Sequence, residues 1–326
     1  MKVAMINRRI WTSSLAILAV HGSQAFADNY PDKPIKLVVP YPPGASTDAL
    51  ARLIGSRLSV NLSQNVIVDN RAGASGNIGS DYVAKSIADG YTILLGTDAT
   101  HTSNMSLITN PPYHPINDFT ALTMAATNPV VLVSHPSVHA SDMNSLIAAV
   151  KSNPNLGLYG SSGTGSPHHL AGELLKRRTA SPFEHVPYKG GGPALNDALG
   201  GQIPLLFASL ITVLPHIQAG RLKALGFTGL QRYDELSGVP TIAETLPGFE
   251  MNSWLAFFGP ANLPISIAQR LNSELVKALQ NAEIKAKLAS SGLFVVANSM
   301  KECREMVEKD FRDRARLIKD ANIKAE

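Results

Sequence analysis

Apolar positions along this chain fall into short continuous runs separated by stretches with helical spacing. Ile35 to Val39 is the first such run, followed by Pro42-Pro43-Gly44-Ala45-Ser46-Thr47 and then by Leu50, Leu53, Ile54 and Leu58 at helix periodicity. Val66-Ile67-Val68 reads as a second buried strand, with a turn over Asn70 to Gly76, a helix near Ile78 to Ile87 and a third strand over Tyr91 to Leu95. The same grammar restarts at Val130 to Val133. It continues through strands at Leu156 to Tyr159, Phe183 to Pro187, Ile203 to Phe207 and Leu222 to Phe227, each followed or preceded by a helical stretch. Continuous apolar strands alternating with helices predict mostly parallel sheets covered on both faces.

Beyond Thr228 the pattern holds a segment with Trp254, a helix with Leu271, Leu275 and Leu279 on one face, a strand over Leu293 to Val296, and a charged terminal helix. These last elements have no place after the second half, so they are expected to return to the first. Two crossings follow, near 127–132 and 224–229, and two crossings make a hinge. The expected division is a leader over 1–27, one lobe over 28–128 and 227–326, and a second lobe over 129–226.

The leader changes how the charge is read. Lys2, Arg8 and Arg9 precede an apolar stretch from Ile10 to Val20 and a small-residue site at Ala25-Phe26-Ala27, which predicts export with cleavage after Ala27. That stretch is shorter than the ~20 residues a membrane span needs. The leader holds three basic residues and no acid, so the balance of +4 falls to +1 beyond it. The basic character gives no support to nucleic-acid binding. The single cysteine, Cys303, excludes an internal disulfide and reads as a buried residue beside Val307 and Phe311.

Candidate chemistry lies in the strand-end turns. Pro42 to Thr47 runs from a strand into a helix, and so does Tyr159 to Ser166 with Ser161, Ser162, Gly163, Thr164 and Gly165 between. Such turns aim unpaired backbone N–H groups and small hydroxyls at one point, which suits an anion. Gly96-Thr97-Asp98-Ala99-Thr100 and Tyr188-Lys189-Gly190-Gly191-Gly192 add two more. In open α/β sheets ligands collect at the carboxyl ends of the strands, where all four lie. No dinucleotide fingerprint, phosphate-loop lysine or nucleophile elbow is present. His168 and His169 point apart on a helix, and His135 and His139 are interrupted by Pro136, so no metal is expected.

Several stretches resemble the substrate-binding proteins of tripartite tricarboxylate transporters, the Bordetella uptake gene or Bug family. They are Tyr30 to Ile35, Pro40 to Gly44 with Asp48, Asn70 to Gly79, Tyr159 to His169, Val186 to Gly190, Asp197 to Gly201, Val239 to Thr241 and Trp254 to Pro264. The resemblance implies a two-lobed periplasmic binding fold of type II-like character, with a carboxylate-bearing ligand in the cleft. It also implies delivery to the membrane permease subunits of such a transporter.

In that family the carboxylate is held by backbone amides, small hydroxyls and ordered waters. The implied ligand set here is Tyr41, Gly44, Ala45, Ser46, Thr47, Ser75 and Thr97 from one lobe. The other lobe would supply Ser161, Thr164, Ser166, His168, Tyr188, Gly191 and Asp197. The family usually carries glycine where this chain has Ala45, Ser75 and Ala256. The expected protein is a monomeric periplasmic binder of a di- or tricarboxylate, an acidic amino acid or an aromatic acid, without cofactor. One alternative is a sensory adaptor binding the same ligand. The other is a hydrolase using Ser161, Ser162 or Thr164 with His168 and Asp197.

Overall fold

The computed structural model describes residues 30–44 and 46–324. The predicted leader and Ala45 lie outside them, as does the side chain of Ser46. The first half of the chain lays down β1 (Ile35–Val39), α1 (Ser46–Leu62), β2 (Val66–Asn70), α2 (Asn77–Ala84), β3 (Thr92–Thr97), α3 (Asn104–Leu107) and β4 (Phe119–Asn128). A second set follows: β5 (Val130–Ser134), α4 (Met143–Ser152), β6 (Leu158–Ser161), α5 (Pro167–Thr179), β7 (Glu184–Pro187), α6 (Gly191–Leu199), β8 (Leu205–Ser209), α7 (Leu210–Gln218) and β9 (Lys223–Phe227). The chain ends with β10 (Ser253–Pro260), α8 (Ile265–Leu279), α9 (Ala282–Ser290), β11 (Phe294–Val295) and α10 (Met300–Asp320).

Two sheets result, one per lobe. The first has the order β11-β4-β10-β3-β1-β2 and the second β7-β6-β8-β5-β9. The sequence pattern predicts mostly parallel sheets, and both are mixed. β10 runs antiparallel to β3 and β4, and β5 runs antiparallel to β8 and β9. β5 and β10 are the strands by which the chain enters a lobe from the other one, so no crossover helix within the lobe forces them parallel to their neighbours, and the short β11 also runs antiparallel to β4.

β10 shows how the first lobe is held. Leu255 and Phe257 pack with Leu271 and Leu275 of α8, while Trp254, Ala256 and Phe258 pack with Cys303 and Val307 of α10. Alternate residues of one strand thus face two helical layers, as the two-residue period requires. Each fully buried large apolar side chain of this kind contributes roughly 1.5–3 kcal/mol. Burial pushes the Cys303 thiol up to about 12, which makes it a packing residue.

Crossing points follow from sheet membership. β4 ends at Asn128 and β5 starts at Val130, so the first crossing is Pro129. The chain leaves the second sheet after Phe227 and rejoins the first at Ser253. Ile242, Phe249 and Met251 bury their side chains in the second lobe, and the Met251 N–H donates to the Thr228 carbonyl at 2.9 Å. Ser253 is the register partner of Asn128, which sets the two crossings side by side. Helix α10 makes a third connection, with Cys303 and Val307 in the first core and Leu317 and Ile318 in the second.

Candidate functional site

The turn before α1 is built around Asp48. This buried carboxylate accepts from the Gly44 N–H at 2.9 Å, from Arg52 Nε at 3.0 Å and from Asn70 Nδ2 at 3.0 Å. Arg52 and then the Gly44 amide hold the Asp48 carboxyl down at about 2. Asn70 also donates to the Tyr41 carbonyl at 3.1 Å, so β2 ties both ends of the turn. The Gly44 amide is therefore already engaged within the protein. Thr47 is different. Its Oγ1 is buried and has no hydrogen-bond partner among the described residues. It stands in the first turn of a seventeen-residue helix, where backbone N–H groups are also unpaired.

Two neighbouring turns pack against this one. Tyr41 Oη and Thr97 Oγ1 are 2.9 Å apart, and burial pushes the Tyr41 hydroxyl up to about 12, so it stays a neutral donor or acceptor. A Cβ on Gly76 would meet Thr100 Cγ2 at 2.7 Å and the Tyr41 ring at 3.4 Å, which explains why the chain passes here only as glycine. Ser75 sits in left-handed conformation with φ 55 and ψ 31, where glycine is favoured. Asn104 Nδ2 fixes it by donating to its carbonyl at 2.9 Å. Tyr113 Oη then joins Asn77 Oδ1 and the Thr100 carbonyl at 3.0 and 2.7 Å.

Lobe 2 brings its residues together through histidines. Ser162 Oγ lies 2.7 Å from His168 Nδ1, and Ser209 Oγ lies 3.4 Å from His168 Nε2. Burial lowers His168 to about 4, so the ring is neutral near pH 7. Ser166 caps α5 by accepting from the His169 N–H at 3.2 Å. Tyr188 Oη donates to Asp197 Oδ2 at 2.7 Å, and the Tyr188 carbonyl is the nearest atom to the open side of Gly163. Gly191 and Gly192 start α6 with empty space beside them.

Ser161 is fully buried and does not face outward. Its Oγ lies 2.7 Å from His185 Nε2 and accepts from the Gly163 N–H at 3.0 Å. Of the candidate hydrolase set only Ser162 and His168 come together, with no bond from Asp197 to the histidine. His168 meets Ser162 and Ser209, Ser161 meets His185, and Asp197 accepts from Tyr188. The supporting residues Asn70, Asn104, Tyr113, His185 and Ser209 escape sequence reasoning, because each acts on a turn far away in the chain. Asn70 alone carries a signal, standing at the end of β2 where a stretch that resembles the family's begins.

Arginines near the lobe 1 turns already have partners. Arg52 pairs with Asp48, and Arg71 pairs with Asp69 at 2.8 Å while stacking 3.6 Å from the Tyr82 ring centre. A cavity of about 420 Å³ lies elsewhere, along α5 and α10, lined by Leu174, Arg178, Met251, Trp254 and Leu317 among others. Its charged walls are largely self-paired, Arg177 with Asp320 and Lys309 with Glu250. The turn before α1 offers a buried hydroxyl, Thr47 Oγ1, without a partner among the described residues, and no such side-chain atom is found among the described residues that line the cavity. Among the described residues no cluster of metal-ligating side chains is present.

Comparison with known proteins agrees with a receptor. A family described as tripartite tricarboxylate transporter family receptor matches residues 50–323. The Rhodopseudomonas palustris protein Rpa4515, solved with adipate, is 35% identical with a TM-score of 0.74, covering 91% of this chain and 99% of that one. MatC from Rhodopseudomonas palustris, solved with bound malate, is 27% identical with a TM-score of 0.70, covering 89% and 100%. The periplasmic binding protein BugD is 29% identical with a TM-score of 0.71, covering 91% and 100%. These are solute-binding receptors, not enzymes, and they share the two-lobe architecture. The chain belongs to the tripartite tricarboxylate transporter receptor family, the Bug-type periplasmic solute-binding proteins.

Proposed function

We propose that this protein captures a small dicarboxylate between its lobes in the periplasm and passes it to the permease subunits of a tripartite tricarboxylate transporter. The observation that carries the reading is the buried, unpartnered Thr47 hydroxyl at the start of α1. A polar atom buried without a partner costs about 1–3 kcal/mol, and a carboxylate oxygen at the helix N-terminus would remove that cost. The relatives solved with adipate and malate support the ligand class.

In this reading the α1 amides after Gly44, with Thr47, Tyr41 and Thr97, hold one carboxylate, and Ser75 lines the wall. Thr164, Ser166, His168, Tyr188 and the Gly191 amide close from lobe 2. Gly44, Ser161 and Asp197 act from behind, because their groups already bond within the protein. Lobe 1 comprises residues up to Asn128 and again from Ser253, and lobe 2 the residues between the crossings. The leader is removed after Ala27. Helix N-termini and hydroxyls stabilise the charge without a buried permanent cation, which keeps capture reversible.

A thermal-shift panel of succinate, malate, adipate, citrate, glutamate and benzoate, with uncharged diols and sugars beside them, tests this. A dicarboxylate at a hundred times its Kd should raise Tm by about 5 °C or more. No shift with any carboxylate, together with a shift from an uncharged solute, would refute the reading.

A further inference from the structure

The turn that carries Thr97 is held from behind by one residue of the last helix. Arg314 is fully buried and reaches three separate parts of the chain. Its Nη1 donates to Asp98 Oδ2 at 2.8 Å, its Nη2 to the Asn252 carbonyl, and its Nε to Asp310 Oδ1 at 2.9 Å. Asp98, directly after Thr97, is itself buried and accepts from Ser253 Oγ at 3.2 Å. Its carbonyl accepts from the Thr102 hydroxyl. One guanidinium thus joins the 97–103 turn, the return crossing at Asn252–Ser253, and α10. Three residues further along, α10 buries Leu317 in the core of lobe 2.

Stability alone is a poor reason for such an arrangement. Removing two charges from water costs several kcal/mol per ion, and well-packed apolar residues often serve a core as well or better. What the ions add is direction. The planar guanidinium fork satisfies three acceptors only in one relative placement, which a lysine cannot reproduce.

Lobe 2 approaches the same place by its own chain of contacts. Ser162, His168 and Ser209 lead to Asn128, whose Nδ2 lies 3.1 Å from Ser209 Oγ. Asn128 is the register partner of Ser253, and its Oδ1 is buried without a partner among the described residues.

We propose that Arg314 and Asp98 are positioning residues for ligand capture, fixing the Thr97 turn to the return crossing so that turn and hinge move as one piece when the lobes close. This rests on the assignment of Tyr41, Thr47 and Thr97 to the ligand site. Neither Arg314 nor Asp98 touches the ligand. Trp254 supplies a built-in reporter. It is the only tryptophan beyond Trp11, and its Nε1 donates at 2.7 Å to Asp310, the carboxylate that Arg314 also holds.

The test uses adipate, malate and succinate, read by calorimetry and by Trp254 emission. Asp98→Asn combined with Arg314→Met removes the fully buried charge pair together, while the half-buried Asp310 keeps its hydrogen bond from Trp254 Nε1. This pair should fold, raise Kd about tenfold and lose most of the ligand-induced change in Trp254 emission. Leu288→Ala, which empties core volume under α9 at a comparable loss of Tm, should keep Kd within about twofold of wild type. Should the double variant not fold, Arg314→Lys decides, with a Kd raised about threefold and a weakened emission change. Wild-type Kd and emission change in the folded double variant, or in Arg314→Lys in its stead, would overturn the proposal. If Thr47→Val weakens binding and the charge-pair variants do not, positioning fails and the site stands. If none of the three acids binds wild type, the site assignment fails and this inference with it.

Discussion

At the start of α1 the Thr47 hydroxyl is buried with no described partner, whereas the hydroxyls of Ser161, Ser162 and Ser166 around α5 are all engaged. Both turns are written in the same small polar residues, and their hydrogen bonding is opposite. The lobe 1 turn is braced from outside, by Asp48, Asn70 and Asn104, and leaves its inner face unsatisfied. The lobe 2 turn satisfies itself through His168, His169 and His185. On the proposed function, the contrast means that one lobe is prepared for a ligand before it arrives. The other must exchange an internal bond, or offer backbone amides, to join it.

Breaking the prepared side should have the largest effect. Thr47→Val keeps the shape and removes the unsatisfied oxygen, so Tm of the ligand-free protein should stay level or rise. Dicarboxylate Kd should rise about 10- to 100-fold, the loss expected for one hydrogen bond to a charged group, as calorimetry would read. A Kd within twofold of wild type would erase the contrast between the lobes.

His168 sharpens the other side. Burial lowers it to about 4 from 6.5, so the unfolded chain binds the proton more readily than the fold does between those values. Stability is therefore present above about pH 6.5 and is lost as pH falls toward 4. The buried His101, lowered to about 3, adds a loss of the same sign that extends further into acid. His168→Gln should flatten the upper part of this dependence in denaturant titrations at stepped pH and raise Kd only a few-fold at pH 7. An unchanged slope would remove His168 from the account.

Ser75→Gly should give the smallest change. A non-glycine residue in left-handed conformation costs about 1–2 kcal/mol, and glycine gives back part of that through greater freedom in the unfolded chain. A gain near 0.5 kcal/mol follows, visible as a Tm rise of about 1–2 °C, with Kd within twofold. A loss of Tm would mean that the serine hydroxyl, not the backbone, holds this turn.

The legible and illegible parts of the fold divide on physical lines. β1, α1 and the turn between them were readable because a short apolar run, a Pro-Gly turn and helical spacing all agree there. β4 has no such agreement. Its Thr120, Ala121, Thr123, Ala125, Ala126 and Thr127 are small and mixed, and only the packing of α8 and α10 makes Phe119 to Asn128 a ten-residue strand. β10 was readable as a Trp254 segment but not as the antiparallel partner of β3 and β4. Nothing local says that Ile242, Phe249 and Met251, which follow the expected crossing at 224–229, pack into the second core. At the site, the turns themselves were legible. Their braces were not, since Asn70, Asn104 and Ser209 act across 29, 29 and 41 positions of sequence. The pairing of Ser161 with His185 is equally tertiary, and it turns an expected ligand contact inward.

A crystal structure of the protein grown with adipate tests the central claim most directly. The account predicts a carboxylate oxygen within hydrogen-bond distance of Thr47 Oγ1 and of an α1 backbone amide, with the distal carboxylate reached by Thr164, Tyr188 or the Gly191 amide. Adipate seated instead in the cavity between Arg178, Met251, Trp254 and Leu317, with Thr47 untouched, would contradict it.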